Sequence, residues 1–159
     1  MADVIESVTT EQVTQFLYRY ARVIDSADSL AWVDLFTPDA EYSVTTYEQA
    51  KGDGLFLFVD RGTEALKERV AYVEGMWWAT RRKNLHLINN VIIDGDDGLD
   101  LTVSSYFVLA RASWDGRSNL HACGEYHDVI RRVDGELKLH RHHVVIDAET
   151  LPSDLTDLL

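Results

Sequence analysis

One cysteine in 159 residues is too little for any internal disulfide, and the lone Cys123 fits a reducing compartment. It also removes whole classes of metal site, because Cys-rich zinc sites and the two-Cys, two-His Rieske cluster both need more thiolates. Proline is scarce, with two in the chain, and nine glycines beside a 46% hydrophobic fraction make an ordinary globular composition. Cations are few: 15 Lys and Arg against 27 Asp and Glu leave a net charge of −12, which argues against nucleic acid and anionic membranes as partners. The longest apolar runs, such as Leu55 to Val59, are far too short to span a bilayer. MADVIESVTTEQ has no basic n-region, so no signal peptide is expected and the expected location is cytoplasmic.

What is present reads as one domain over residues 1–159, α+β in class. Thr9 and Gln12 form a capping-box pattern, and Val13, Phe16, Leu17, Tyr20 and Ile24 recur at helical spacing behind it, predicting a helix over roughly 10–25. Asp28 or Ser29 can cap a short second helix carrying Trp32, Leu35 and Phe36, stopped by Thr-Pro-Asp at 37–39. AEYSVTT from Ala40 predicts a first strand, and YEQAKGDGLFLFVDRG at 47–62 predicts a long connection with one apolar patch. Thr63 is expected to cap a third helix with Leu66, Val70, Val73 and Trp77 on one face and Arg81, Arg82 and Lys83 at its end. From Leu85 onward four long β segments follow, separated by Asp-Gly turns at 95–98, 115–116 and 134–135. A strand from Leu99 to Trp114 would reach about 50 Å if straight, so the sheet is expected to bulge and curve into a cone around a pocket.

Five of the six histidines, His121, His127, His140, His142 and His143, lie in the last third of the chain. In LHRHHVVID at 139–147, simple alternation puts His140, His142 and Val144 on one face, with Arg141, His143 and Val145 on the other. His-x-His on one face, completed by Glu125 or Asp128 from the preceding strand, has the spacing of a two-His, one-carboxylate metal site. Lys138, Arg141 and Arg131 lie among these residues and oppose a cation, so the expectation is no metal. Asp25 at the end of the first helix and His86 at the opening of the first long strand can meet in the cone as an acid–base couple or as a structural pair. Tyr42, Tyr106 and Tyr126 can line the same pocket or belong to the core. The leucines of SDLTDLL call for cover from their own core or from another subunit.

The ordered set VIDSADSLAWVDLFTPDAEYSV, RRKNLHLINNV and SYFVLARASWDG…LHACGEYHDVIRRVDGELKLHRHHVVIDAETL resembles the small (beta) subunit of aromatic ring-hydroxylating dioxygenases. The spacing of Arg111, Gly124, Asp128, Arg131, Arg132, Gly135, Val145 and Asp147 looks like that family's signature, and SDLTDLL resembles its apolar end. The resemblance implies a nuclear-transport-factor-like (SnoaL-like, cystatin-like) cone, a curved antiparallel sheet packed on three N-terminal helices. It implies an oxidoreductase of aromatic hydrocarbon catabolism in which this chain is a structural subunit without cofactors or catalytic residues. The Rieske [2Fe-2S] cluster and the mononuclear Fe(II) belong to a catalytic alpha subunit, in a hetero-hexamer of three alpha and three beta chains. An isolated chain would form a homotrimer or homodimer. GEY at 124–126 and the 47–62 connection depart from the commonest members and look closer to the branch acting on aromatic acids. The rival from the same superfamily is a stand-alone dehydratase or isomerase. There Asp25 and His86 would be catalytic, but a second histidine has no equivalent in SSYFVLARAS. A non-catalytic ligand-binding or dimerisation module is the third alternative.

Overall fold

The computed structural model describes residues 7–26, 28–52, 54–77, 83–112, 115–148 and 158–159. Helix α1 (Thr10–Asp25) begins with the expected box, since Gln12 N–H donates to Thr9 Oγ1 at 3.2 Å and Gln12 Oε1 accepts from Thr9 N–H at 2.8 Å. Its stripe of Val13, Phe16, Leu17, Tyr20, Ala21 and Ile24 is buried. Helix α2 (Ser29–Val33) is capped by Asp28, whose carboxylate accepts from Ala31 N–H at 3.1 Å. Leu35 and Phe36 lie beyond it, and Phe36 already opens β1 (Phe36–Thr46), four residues earlier than expected. Thr-Pro-Asp therefore sits inside a strand, in a register shift between Phe36 and Glu41 where Pro38 needs no ladder hydrogen bond.

The 47–62 connection is more ordered than expected. It forms a short helix α3 (Tyr47–Lys51) and an edge strand β2 (Phe58–Arg61) before α4 (Gly62–Trp77). Between α3 and β2 the chain lies over β1: Leu57 N–H donates to Val44 O at 2.8 Å and Thr45 Oγ1 donates to Leu55 O at 2.7 Å. Thr63 lies within α4 instead of capping it, and its hydroxyl donates to Pro38 O at 3.4 Å. Leu66, Val70 and Val73 are buried as expected. The Trp77 side chain, Arg81, Arg82, Trp114 and residues 149–157 lie outside the described residues.

Then come β3 (Lys83–Asp96), β4 (Asp100–Ala112), β5 (Ser118–Val133) and β6 (Glu136–Ile146). The sheet order is β2-β1-β6-β5-β4-β3; β1 runs parallel to β6 and every other pairing is antiparallel. The Asp134-Gly135 turn has φ of 51° and 83°, the left-handed pair that a tight hairpin requires. Register shifts interrupt four of the strand pairings, which is how strands this long curve within one domain. The concave face packs on α1, α2 and α4 through a core that includes Trp32, Phe36, Tyr42, Phe107, Tyr126 and Leu139. No helix among the described residues is long and apolar enough to cross a membrane.

Candidate functional site

A single bulge rearranges the histidine strand. Between β5 and β6, Val129 pairs with Arg141 while the next residue, Ile130, pairs with Leu139, so β6 carries one additional residue at His140. Alternation breaks there. Leu139 and His142 both turn to the core, and His140 does not share a face with His142. The expected His-x-His face is thereby overturned. His140 Nδ1 instead bonds Thr37 Oγ1 at 3.0 Å and stands 3.5 Å from Asp39. Among the described residues no group of three His, Cys, Asp or Glu side chains is placed to hold a metal.

Of the two carboxylates weighed for that strand, Asp128 does reach a histidine. It lies opposite His142 across the β5–β6 ladder, and its Oδ1 is 2.6 Å from His142 Nδ1 with both side chains fully buried. On the other side of the ring, Nε2 is 2.9 Å from the main-chain oxygen of Leu159 and 3.0 Å from Tyr20 Oη. Tyr20 donates to that same Leu159 oxygen at 2.6 Å, and Leu159 N–H donates to Tyr42 Oη at 3.0 Å. Leu158 and Leu159 are buried in the hydrophobic cluster, so the end of SDLTDLL is covered by its own core. His142 lies within 6.4 Å, centroid to centroid, of Tyr20, Phe36, Tyr42 and Tyr126. Burial pushes the hydroxyls of Tyr20, Tyr42 and Tyr126 well up from their ordinary value, so they remain protonated donors. Tyr106, read as lining the pocket or belonging to the core, does neither and is exposed on the outer sheet face.

Glu125 and two more histidines occupy that outer face. His127 Nε2 is 3.1 Å from Glu125, and His143 Nδ1 is 2.9 Å from Ser43 Oγ, with the edge of Phe56 against its ring. Burial, then the nearby His127 and Arg141, hold His143 below its ordinary value.

Asp25 and His86 do meet. The last residue of α1 receives the main-chain N–H of His86 on Oδ2 at 2.9 Å, and Oδ1 is 2.7 Å from His86 Nδ1. With Nδ1–H donated to the carboxylate, Nε2 is left as an acceptor, and among the described residues it has no partner. Both residues border a cleft of about 830 Å³ between α1 and the free edge of β3, with Gln15, Tyr18, Arg22 and Lys83 on its walls. The imidazole itself is 1% exposed, so it meets the cleft only at its margin and is mostly enclosed by the surrounding side chains.

The sequence pointed to Asp25–His86 but missed Tyr20 and Leu159 as neighbours of His142. Tyr20 reads as one more apolar position of an amphipathic helix 122 residues from His142, and Leu159 meets the ring through its main chain, which leaves no side-chain pattern.

Residues 19–153 match the family described as ring hydroxylating beta subunit. The chain is 27% identical to the terephthalate 1,2-dioxygenase terminal oxygenase component subunit beta 1 of Comamonas sp, covering 93% of this chain and 94% of that one. It is 30% identical to the small oxygenase component of the p-cumate 2,3-dioxygenase system of Pseudomonas putida, covering 91% and 82%. The crystal structure of the beta subunit of benzoate 1,2-dioxygenase from Burkholderia mallei superposes with a TM-score of 0.81 at 20% identity, covering 97% and 100%. The family match spans most of the length, on a cone of the same fold as the benzoate 1,2-dioxygenase beta subunit, and the chain belongs to the ring hydroxylating beta subunit family.

Proposed function

We propose that residues 1–159 act as one domain, the structural partner of a catalytic alpha subunit, in a complex of three alpha and three beta chains that hydroxylates an aromatic carboxylic acid. The iron chemistry belongs to the alpha subunit: a Rieske cluster needs two cysteines, and this chain has only Cys123. Support for an acid substrate comes from the relatives named for terephthalate and p-cumate, both aromatic carboxylates.

The observation that carries the reading is the outer face of β3, β4 and β5. Leu87 lies beside Val108, which lies beside Cys123, and Leu85, Tyr106 and Leu120 extend the same exposed apolar surface. A contiguous patch of that kind on a charged chain marks a protein contact. The direct experiment is co-expression with the alpha subunit of the same oxygenase, followed by sizing and activity on terephthalate, p-cumate and biphenyl. A stoichiometric complex turning over the acids in preference to biphenyl is expected; a beta chain that never enters the complex overturns the proposal.

One observation favours the dehydratase alternative, the Nε2 of His86, which has no partner among the described residues. The enclosed imidazole argues against it. In the subunit reading His86→Ala lowers the stability and yield of the complex, by about 1–3 kcal/mol for the Asp25 oxygens left behind, while activity per assembled complex stays within about twofold. Iron-independent turnover of a hydroxylated aromatic by the isolated chain, lost in His86→Ala, would establish the alternative instead.

A further inference from the structure

Several cations of this chain are spent on carboxylates: Arg61, Lys67, Arg69 and Arg131 each hold one within 2.9 Å. Arg22 and Lys83 are not, since among the described residues no carboxylate stands within 4.0 Å of either side chain. Both border the cleft between α1 and the free edge of β3. In a chain with 27 acidic residues against 15 Lys and Arg, two unspent cations on one cleft reverse the charge locally. The one carboxylate among the lining residues is Asp25, and His86 occupies both of its oxygens.

Much of the wall around these cations is apolar. Tyr18, Leu85 and Leu87 are 41%, 52% and 54% exposed, and Ala21 and Ile88 border the same space. Of the neutral polar side chains there, Gln15 is bonded to Glu11 at 2.9 Å and Asn89 to Asn90 N–H at 2.8 Å. The strand edge adds a main-chain donor. His86 N–H points to Asp25, away from β4, and strand alternation turns Ile88 N–H the same way. Asp25 thus shows how a carboxylate sits against this edge, with one oxygen on a main-chain N–H at 2.9 Å.

We propose that this cleft is a binding site for a small aromatic carboxylate. Arg22 and Lys83 meet the charge, Tyr18 and Leu87 receive the ring, and Ile88 N–H donates to the acid. At about 830 Å³ the cleft has the size of a small-molecule site, and it is open as it stands, so no segment has to move. The preference for an acid comes from two side chains that carry their charge throughout the neutral range, while His86 stays engaged with Asp25. The inference does not rest on the subunit reading, and the isolated full-length chain tests it.

The test titrates benzoate, benzamide and acetate into that chain by calorimetry, near neutral pH and at low salt. Benzoate is expected to bind about fivefold or more tighter than either, and its advantage over benzamide to fade in about 0.5 M salt. Arg22→Gln with Lys83→Gln is expected to weaken benzoate about fivefold and leave benzamide unchanged. Both side chains are exposed, so the fold tolerates the change. The control removes two charges elsewhere, Lys67→Gln with Arg117→Gln, and leaves the affinity for benzoate as it was. Saturable binding with this pattern assigns the cleft. Equal affinities for benzoate and benzamide, or for benzoate and acetate, overturn the proposal, as does an equal loss in the control. Benzoate that fails to saturate up to about 50 mM overturns it as well.

Discussion

Two buried histidines each rest Nδ1 on an aspartate, and what meets Nε2 separates them. His142 faces Leu159 and Tyr20, whereas His86 has no Nε2 partner among the described residues. A third histidine, His143, has a serine in place of the carboxylate, and Glu41, the weakest influence on it, does not outweigh its burial and the neighbouring His127 and Arg141. Its folded value therefore lies below the ordinary one, and the sign of the pH effect follows. Above about 6.5 both folded and unfolded chains carry it neutral, and its contribution to stability is whole. As pH falls below that, the unfolded chain takes a proton that the folded chain resists, and stability declines until the folded value is passed. Urea unfolding of the intact protein between pH 7.5 and 5 is expected to show that loss, and His143→Gln is expected to flatten it; an unchanged slope refutes the assignment. Asp25 with His86 was legible in the sequence because one ends a helix and the other opens a strand, both facing inward. Asp128 was legible as a partner for the last strand, but the role of His142 was not. Every residue of LKLHRHHVV suits a regular strand, so nothing in it announces the additional residue at His140.

At the scale of elements, the chemistry of turns and caps was readable and the chemistry of crossings was not. Asp-Gly at 134–135 and the Thr9–Gln12 box impose local geometry through their own backbone demands. The edge strand β2 is four residues long and forms because Phe58, Val59, Asp60 and Arg61 find β1, a pairing visible only once β1 is in place. Gly124 belongs to the same class of hidden requirement. It pairs with Ile146 where β5 closes on β6, and a Cβ there would land on the main-chain oxygen of Val145. Because the obstacle is backbone, no rotamer change relieves it. Gly124→Ala is expected to destabilise the chain by about 1–3 kcal/mol, which for this length lowers Tm by several degrees, measured by calorimetry. A Tm within a degree of the parent would show that the β5–β6 closure yields. The control is Gly98→Ala in the β3–β4 turn, where φ is +88° but nothing lies within 4 Å. Its effect comes from backbone strain alone, about 1 kcal/mol.

For the whole molecule the question is why a chain with net charge −12 leaves apolar side chains in a row on one sheet face. The neighbouring strand positions put Leu87, Val108 and Cys123 side by side, and Leu87 is 54% and Val108 36% exposed. The same sheet is covered over β1 and β6 by residues 54–57, which shelter Thr45 and place Phe56 on His143. The chain thus covers one part of its outer face with residues 54–57, and among the described residues the β3–β5 part, proposed above as the contact, stays exposed. Charging that part should separate assembly from folding. Leu87→Asp with Val108→Asp places charges on two partly exposed side chains of the outer face, so the isolated protein should lose no more than about 1 kcal/mol of stability for each change. In a complex the same two carboxylates would be buried without partners, a penalty of several kcal/mol, enough to lower the association constant by about a thousandfold or more. Sizing of the co-expressed subunits reads the outcome. Loss of the complex with an intact fold assigns β3–β5 as the contact, and a complex that survives both charges moves the contact elsewhere on the cone.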